Sequence, residues 1–78
     1  MEGSQIKEII KSPQFKLQYQ LALNDALIKQ MQKGRGPDSD FSFEVAHELS
    51  ETEEAIFKVT AKSGNPESIE WIENHKVA

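Results

Sequence analysis

The sequence predicts one small α+β domain in which two helices precede a β-hairpin and a short terminal helix, in the order α-α-β-β-α. The prediction rests on a change of apolar period. Apolar residues recur every three or four positions as far as about residue 33, and every second position from residue 41. The 78 residues leave room for one modest core. We expect residues 1–64 to form the domain and residues 65–78 to form a short helix or a mobile tail.

The first helix is predicted over residues 4–11, with Ser4 as its N-cap. Its apolar side consists of three isoleucines at helical spacing, Ile6, Ile9 and Ile10. Pro13 interrupts this helix and starts the next one, because proline suits the first helical position and Ser12 before it is a favourable N-cap. We therefore expect two consecutive helices with a break at Ser12.

The second helix should run from Pro13 to about Lys33 and end at Gly34. Its apolar stripe consists of Phe15, Tyr19, Ala22, Leu23, Ala26, Leu27 and Met31. Three further aliphatic residues widen the stripe on one flank, namely Leu17, Leu21 and Ile28. An apolar surface of this width predicts contacts on two sides, either with the first helix and a sheet or with a sheet and a second chain.

Two strands are predicted after a loop over residues 34–40. Alternation predicts the first strand, whose inner side consists of Phe41, Phe43, Val45, His47 and Leu49. Residues 50–54 should form a polar turn. The second strand is predicted over residues 56–62, with Phe57, Val59 and Ala61 inward and Lys58, Thr60 and Lys62 outward. Acidic residues on the outer side of the first strand should lie opposite these lysines.

The last segment carries the signals of a helix start. Ser63-Gly64 closes the second strand, Asn65 is a suitable N-cap, and Pro66 suits the first helical turn. The apolar residues that follow are Ile69 and Ile72, three positions apart, with Trp71 on the adjacent flank. This pattern predicts the short terminal helix.

Charge is distributed unevenly along the chain. Residues 1–36 hold six basic and three acidic side chains, whereas residues 37–78 hold ten acidic and three basic ones, for a total charge of −4. The acidic half would repel phosphates, so we do not expect binding to nucleic acid. No apolar run approaches the ~18 residues of a membrane span, so we expect a cytoplasmic protein without contact to a membrane.

The residue types of catalytic and metal sites are missing or badly spaced. The chain has no cysteine, and His47 and His75 lie 28 positions apart. The glutamates of residues 48–54 lack the alternating ligands and the glycine of a calcium loop. The two glycines of residues 34–37 follow a helix, whereas a phosphate loop joins a strand to a helix. We therefore expect no catalytic, metal-binding or cofactor-binding residue, and no enzyme activity of the chain alone.

The stretches Pro13–Leu17 and Leu21–Ala26 place an aromatic residue, leucines and an acidic residue along the second helix, and Gly34 follows it. The proline that comes next is Pro37, and a strand follows over Phe43–Glu48. An acidic turn and a second strand follow over Glu53–Val59. In this order, residues 5–62 resemble the nitrile hydratase-type leader domain of ribosomally made, enzymatically modified peptide precursors. Two departures are Ala26, where the family usually has proline, and the absence of a double glycine before the last segment.

The resemblance implies a protein that docks to peptide-modifying enzymes and presents its C-terminal segment to them. The segment would offer Ile69, Trp71, Asn74, His75 and Ala78 for modification. The residues expected to contact a protein partner are Tyr19, Leu23, Leu27, Phe43, Val45, Phe57 and Trp71. The alternative is a small acidic regulatory or inhibitory protein, such as a phage-type inhibitor of a host enzyme, that covers a basic partner surface. A monomer or a homodimer is expected in either case.

Overall fold

The computed structural model describes residues 2–36 and 38–77, which form two helices and a three-stranded sheet. These elements are α1 (Gly3–Lys11), α2 (Pro13–Gln32), β1 (Phe41–Glu48), β2 (Glu53–Lys62) and β3 (Asn65–Lys76). The strands are antiparallel in the order β1-β2-β3, and both helices pack on one face of the sheet. The class α+β is confirmed. The predicted order α-α-β-β-α is wrong, because the last element is a strand.

Local signals explain where the second helix begins and ends. The Ser12 hydroxyl accepts a hydrogen bond from the backbone N–H of Phe15 at 3.1 Å, and Pro13 occupies the first turn, as predicted. The helix ends at Gln32, two residues before Gly34, whose φ of 77° lies in the left-handed region. Within residues 2–36 and 38–77, neither helix combines the length and the apolar character needed to cross a membrane.

The first helix begins slightly earlier than predicted. It starts at Gly3, and its N-cap is Glu2, so the expected capping role of Ser4 is wrong. The Gln5 side chain accepts a hydrogen bond from the backbone N–H of Glu2 at 3.3 Å, which satisfies one of the free donors of the first turn. The isoleucines of this helix pack against the core, as their spacing predicted.

The core lies between α2 and the inner face of the sheet. Phe15 of α2 packs on Val45 of β1 and on Phe57 and Val59 of β2, and all four side chains are buried. The rings of Phe15 and Phe57 meet edge to face, with their centroids 5.2 Å apart. Such a pair contributes about 0.5–1.5 kcal/mol beyond the burial of its area. The inward residues of β1 and β2 therefore match the alternation in the sequence, with one exception. β1 ends at Glu48, and Leu49, which was expected on the inner side, is 38% exposed after it. β2 begins at Glu53, three residues earlier than predicted.

A two-residue turn places the last segment in the sheet. Ser63 and Gly64 have φ of 52° and 80°, and they connect Lys62 to its register partner Asn65. Positive φ at both central residues is the signature of a type I′ turn, whose twist suits an antiparallel hairpin. Asn65 therefore pairs with a strand and does not cap a helix. The proline that follows it is tolerated because β3 is an edge strand.

A β-bulge explains why this strand has a helix-like spacing. Ile56 is opposite Glu73, but the next residue, Phe57, is opposite Trp71, so Ile72 is an extra residue in β3. The extra residue shifts the alternation by one position and puts two isoleucines three residues apart. Residues 65–76 thus belong to the domain, and the expected boundary after residue 64 does not separate a helix or a tail from it.

Candidate protein-binding surface

The outer face of the sheet, turned away from both helices, carries most of its charge as carboxylates. The register sets Lys58 of β2 between Glu44 of β1 and Glu70 of β3, so the central row holds one lysine and two glutamates. The prediction that outward acids face outward lysines is confirmed for Glu44 and Lys58. We call the five glutamates on this side of the sheet the acidic face, namely Glu44, Glu48, Glu54, Glu70 and Glu73.

The end of the β1–β2 hairpin holds two like charges. Glu48 and Glu54 are direct register partners, and like charges in this position destabilise a sheet by about 0.2–1 kcal/mol. Among residues 2–36 and 38–77, the one ion pair joins Lys29 to Asp25 on α2, at 2.9 Å. Within that part of the chain, the acidic face therefore keeps its charge uncompensated by close ion pairs.

The carboxylates of the acidic face are spread out and do not converge. Neighbouring strands lie about 4.8 Å apart, and alternate residues of one strand about 6.8 Å apart. In the part of the chain that the structure describes, no three His, Asp or Glu side chains come close enough to hold a metal ion. This arrangement suits several separate cationic groups on a macromolecule.

The residues predicted to contact a partner do not share one surface. Val45 and Phe57 are buried in the core, so their side chains are covered in the folded chain. Tyr19 and Phe43 are half-buried, with ring centroids 5.8 Å apart, and burial raises the pKa of Tyr19 above its usual 10.0. The other three positions are half-buried as well, namely Leu23, Leu27 and Trp71.

The residues predicted to be modified are divided between the two faces of β3. Ile69 and Trp71 lie opposite inward residues of β2 and pack against the core. The Trp71 indole Nε1 donates a hydrogen bond to Asn74 Oδ1 at 2.9 Å. His75 is exposed on the outer face, opposite Glu54. Ala78 lies outside the described residues.

His47 is the buried polar side chain of the inner face. It is 8% exposed, its ring centroid lies 6.1 Å from that of Phe15, and its Nδ1 has no hydrogen-bond partner in the described part of the chain. Burial lowers the pKa of His47 below its usual 6.5, while the nearby Glu48 carboxylate acts in the opposite direction. The side chain therefore favours the neutral form inside the fold.

Sequence reasoning missed the contribution of β3 to the acidic face. The helix predicted for the last segment includes Glu70 and Glu73, and a helix does not align them with β2. The dipeptide Ser63-Gly64 was the available signal, because a small polar residue followed by glycine between two alternating stretches is typical of a tight hairpin turn.

Comparisons with known proteins identify no relative. No protein-family model matches the chain, and no curated protein or solved structure matches it significantly. The resemblance to leader domains stays a prediction. Function has to be inferred from the chain's own residues.

Proposed function

We propose that this chain is a non-enzymatic regulatory or inhibitory module that covers a basic surface of a partner protein with its acidic face. The observation that supports the proposal most directly is the distribution of glutamates over all three strands, on the side of the sheet away from the helices. At 0.1 M salt, such charges act on a partner over about 10 Å. A complementary charge pattern gives specificity and speeds association.

The sheet presents its charges in a fixed pattern. Because the three strands are paired before any partner arrives, little backbone has to be ordered on binding. Lys58 interrupts the acidic face at its centre, between Glu44 and Glu70. A partner with uniformly positive charge would meet repulsion at Lys58, whereas a basic surface with an acidic group at this point would fit. The pattern is therefore more selective than a uniform acidic patch.

The paired charges of Glu48 and Glu54 give a second reason to expect a basic partner. In the free chain, the two carboxylates repel each other across the hairpin. An arginine or lysine placed between them would remove this repulsion and form a new ion pair. Part of the binding free energy would thus come from strain that the free domain already carries.

The proposal is tested by affinity capture and mass spectrometry with a neutralised variant. The triple variant E44Q/E54Q/E70Q removes three charges from the acidic face, on three different strands. A matched control, E2Q/E8Q/D38N, removes three exposed charges elsewhere in the chain. The wild type and the control should capture the same basic protein and lose it between about 0.1 M and 1 M salt, as the Debye length falls from about 10 Å to 3 Å.

The variant of the acidic face should lose that protein at low salt. The captured protein is then purified, and its own activity is measured with increasing amounts of the chain. A decrease in that activity with the wild type, and no decrease with the E44Q/E54Q/E70Q variant, is the expected result. Equal capture by both triple variants, or capture that is insensitive to salt, would contradict the proposal.

A second candidate is the leader role that the resemblance implies. It is favoured by the position of β3 at the edge of the sheet, where Ile69 and Trp71 are its half-buried residues and the others are exposed. An edge strand can detach while the β1–β2 hairpin stays paired. Co-expression with peptide-modifying enzymes encoded next to the chain tests this role. A mass change within residues 65–77 would support it, and an unchanged mass would count against it.

A further inference from the structure

The outer side of α2 carries large apolar side chains that are not covered in the described part of the chain. Leu17, Leu21, Ile28 and Met31 are between 54% and 69% exposed. They lie on the side of the helix opposite Phe15, which packs into the core. Met31 was predicted to share the inner stripe, which is wrong. A helix on the surface of a globular domain is normally apolar on its inner side and polar on its outer side. α2 is unusual because both of its sides are apolar.

The spacing of these residues is that of a coiled-coil seam. Leu17, Leu21, Asn24, Ile28 and Met31 follow one another at intervals of four, three, four and three residues. This alternation keeps all five side chains on one line of an α-helix and allows them to interlock with the side chains of a second helix. We call these five residues the α2 seam.

The residues beside the α2 seam carry little charge. The flanking positions hold the half-buried Leu27 and four polar residues, Gln18, Gln20, Asp25 and Gln32. Asp25 is the one charged residue among these four, and Lys29 pairs with it at 2.9 Å. Two copies of the chain, each with a net charge of −4, repel each other over most of their surfaces. The nearly neutral α2 seam is a surface on which two copies can meet without bringing their acidic halves together.

We propose that the α2 seam binds the α2 seam of a second copy, in a parallel dimer with the two helices in register. Within one chain, Gln20 Nε2 donates a hydrogen bond to Asn24 Oδ1 at 3.1 Å, which leaves Asn24 Nδ2 to donate and a second lone pair of Oδ1 to accept. In this arrangement Asn24 meets Asn24, and these remaining groups are complementary across the pair. A parallel pair also places Gln20 of one copy beside Asp25 of the other, where the amide can donate to the carboxylate. An antiparallel pair centred on Asn24 would bring the two Asp25 carboxylates together.

The size of the α2 seam determines how strongly the dimer forms. A helix of 20 residues is about 30 Å long and, with side chains, about 10 Å wide, so its outer side measures roughly 300 Å². A standard stable interface buries about 800 Å² on each partner. The dimer is therefore weak and reversible, and it forms at high concentration or where copies are held close together.

Sedimentation equilibrium between about 10 μM and 1 mM tests the dimer directly. The wild type should move from 8.8 kDa towards twice this mass as its concentration rises. The double variant L21K/I28K should stay at the mass of one chain while keeping its circular dichroism spectrum. The control V77K makes the same type of change at an apolar residue that is 59% exposed outside α2, and it should associate as the wild type does. A wild type that stays monomeric at 1 mM, or an L21K/I28K variant that still associates, would overturn the proposal.

Cysteine cross-linking tests the orientation, because the chain has no cysteine of its own. After mild oxidation, N24C should form a disulfide-linked dimer, whereas L49C, in the exposed hairpin loop, should not. In an equal mixture of L17C and M31C, a parallel pair gives disulfides between like chains. Mixed L17C–M31C disulfides as the main product would overturn the parallel arrangement. The α2 seam and the acidic face share no residue, so the two proposals can fail independently.

Discussion

The two faces of the sheet differ in almost every property although they are made by the same three strands. On β2, Phe57 and Val59 are wholly buried, whereas the intervening Lys58 is exposed beside Glu44 and Glu70. The inner face thus supplies apolar burial, and the outer face supplies charge. Alternation along a strand lets a domain of 78 residues place an apolar face and a charged face on one sheet without additional elements. Substitutions one position apart should therefore have quite different effects.

The largest difference between the faces should appear at Phe57 and Lys58. Phe57→Ala removes a wholly buried ring from the centre of the core and should lower the free energy of unfolding by about 3–5 kcal/mol. Lys58→Ala, on the exposed side of the same strand, should change it by less than about 0.5 kcal/mol. Urea denaturation followed by circular dichroism measures both. Similar losses for the two variants would contradict the division between the faces.

The second-largest loss of stability is expected from a substitution in the turn before β3. This turn determines which residues of β3 face inward. Gly64 has a φ of 80°, which costs other residues roughly 1–2 kcal/mol. Gly64→Ala should lower the free energy of unfolding by about this amount. Gly3→Ala is the matched control, since a Cβ there meets nothing within 4 Å. Thermal unfolding should show a clear loss for Gly64→Ala and none for the control.

His47 is the residue of the inner face whose contribution depends on pH. Because burial lowers its pKa below 6.5, the unfolded chain takes up the proton more readily than the folded one. The stabilisation that comes from burying His47 in its neutral form is complete above pH 6.5. It is lost as the pH falls towards the lower pKa that His47 has in the folded state. Urea midpoints between pH 7.5 and 5.5 should therefore decrease on acidification.

The contribution of His47 can be separated from that of the other histidine. The variant His47→Leu should lose most of the decrease between pH 7.5 and 5.5. The control His75→Gln changes an exposed histidine on the outer face and should keep the decrease of the wild type. A midpoint that falls equally in His47→Leu would show that another group causes the pH dependence.

The smallest expected effect concerns the like charges of the acidic face. Glu54→Lys turns the pair with Glu48 into an attractive one and should raise the free energy of unfolding by about 0.2–1 kcal/mol at low salt. Glu51→Lys makes the same change of charge in the turn, away from any strand partner, and is the control. At low salt, the free energy of unfolding should rise more for Glu54→Lys than for Glu51→Lys. This difference should disappear in 1 M NaCl. No difference between the two variants would show that the pair costs the fold nothing.

The helices and the first hairpin were predictable because their signals are local. Ser12 and Pro13 set the start of α2, and the alternation around Val45 and Phe57 set the inward residues of β1 and β2. In the last segment, the hairpin signal of Ser63-Gly64 is followed by an ambiguous one. Asn65-Pro66 reads equally well as a helix start and as the beginning of an edge strand, and the bulge at Ile72 disturbs the alternation.

The candidate surface was less predictable than the fold. The acidic face requires the register of three strands, which places Glu70 beside Lys58 only once β3 is recognised. The aliphatic residues of α2 are evident in the sequence, but their spacing alone does not separate the inner side of the helix from its outer side. Packing decided this question, because Phe15 enters the core and Leu21 does not. Burial of one side of a helix depends on contacts that are distant in sequence.

Amide hydrogen exchange of residues 65–76, measured residue by residue with NMR, is the most direct test of the two-faced, three-stranded sheet. The strand pairs along one edge only, so alternate amides donate to β2 and those between them point to solvent. Glu67 is a second extra residue of β3, because Thr60 is opposite Ser68 and Ala61 is opposite Pro66. We predict slow and fast exchange in alternation along β3, interrupted at the bulges at Glu67 and Ile72. Consecutive slow amides after Ser68 would indicate a helix, and uniformly fast exchange would indicate a mobile tail. Either result would contradict the three-stranded sheet and the acidic face built on it.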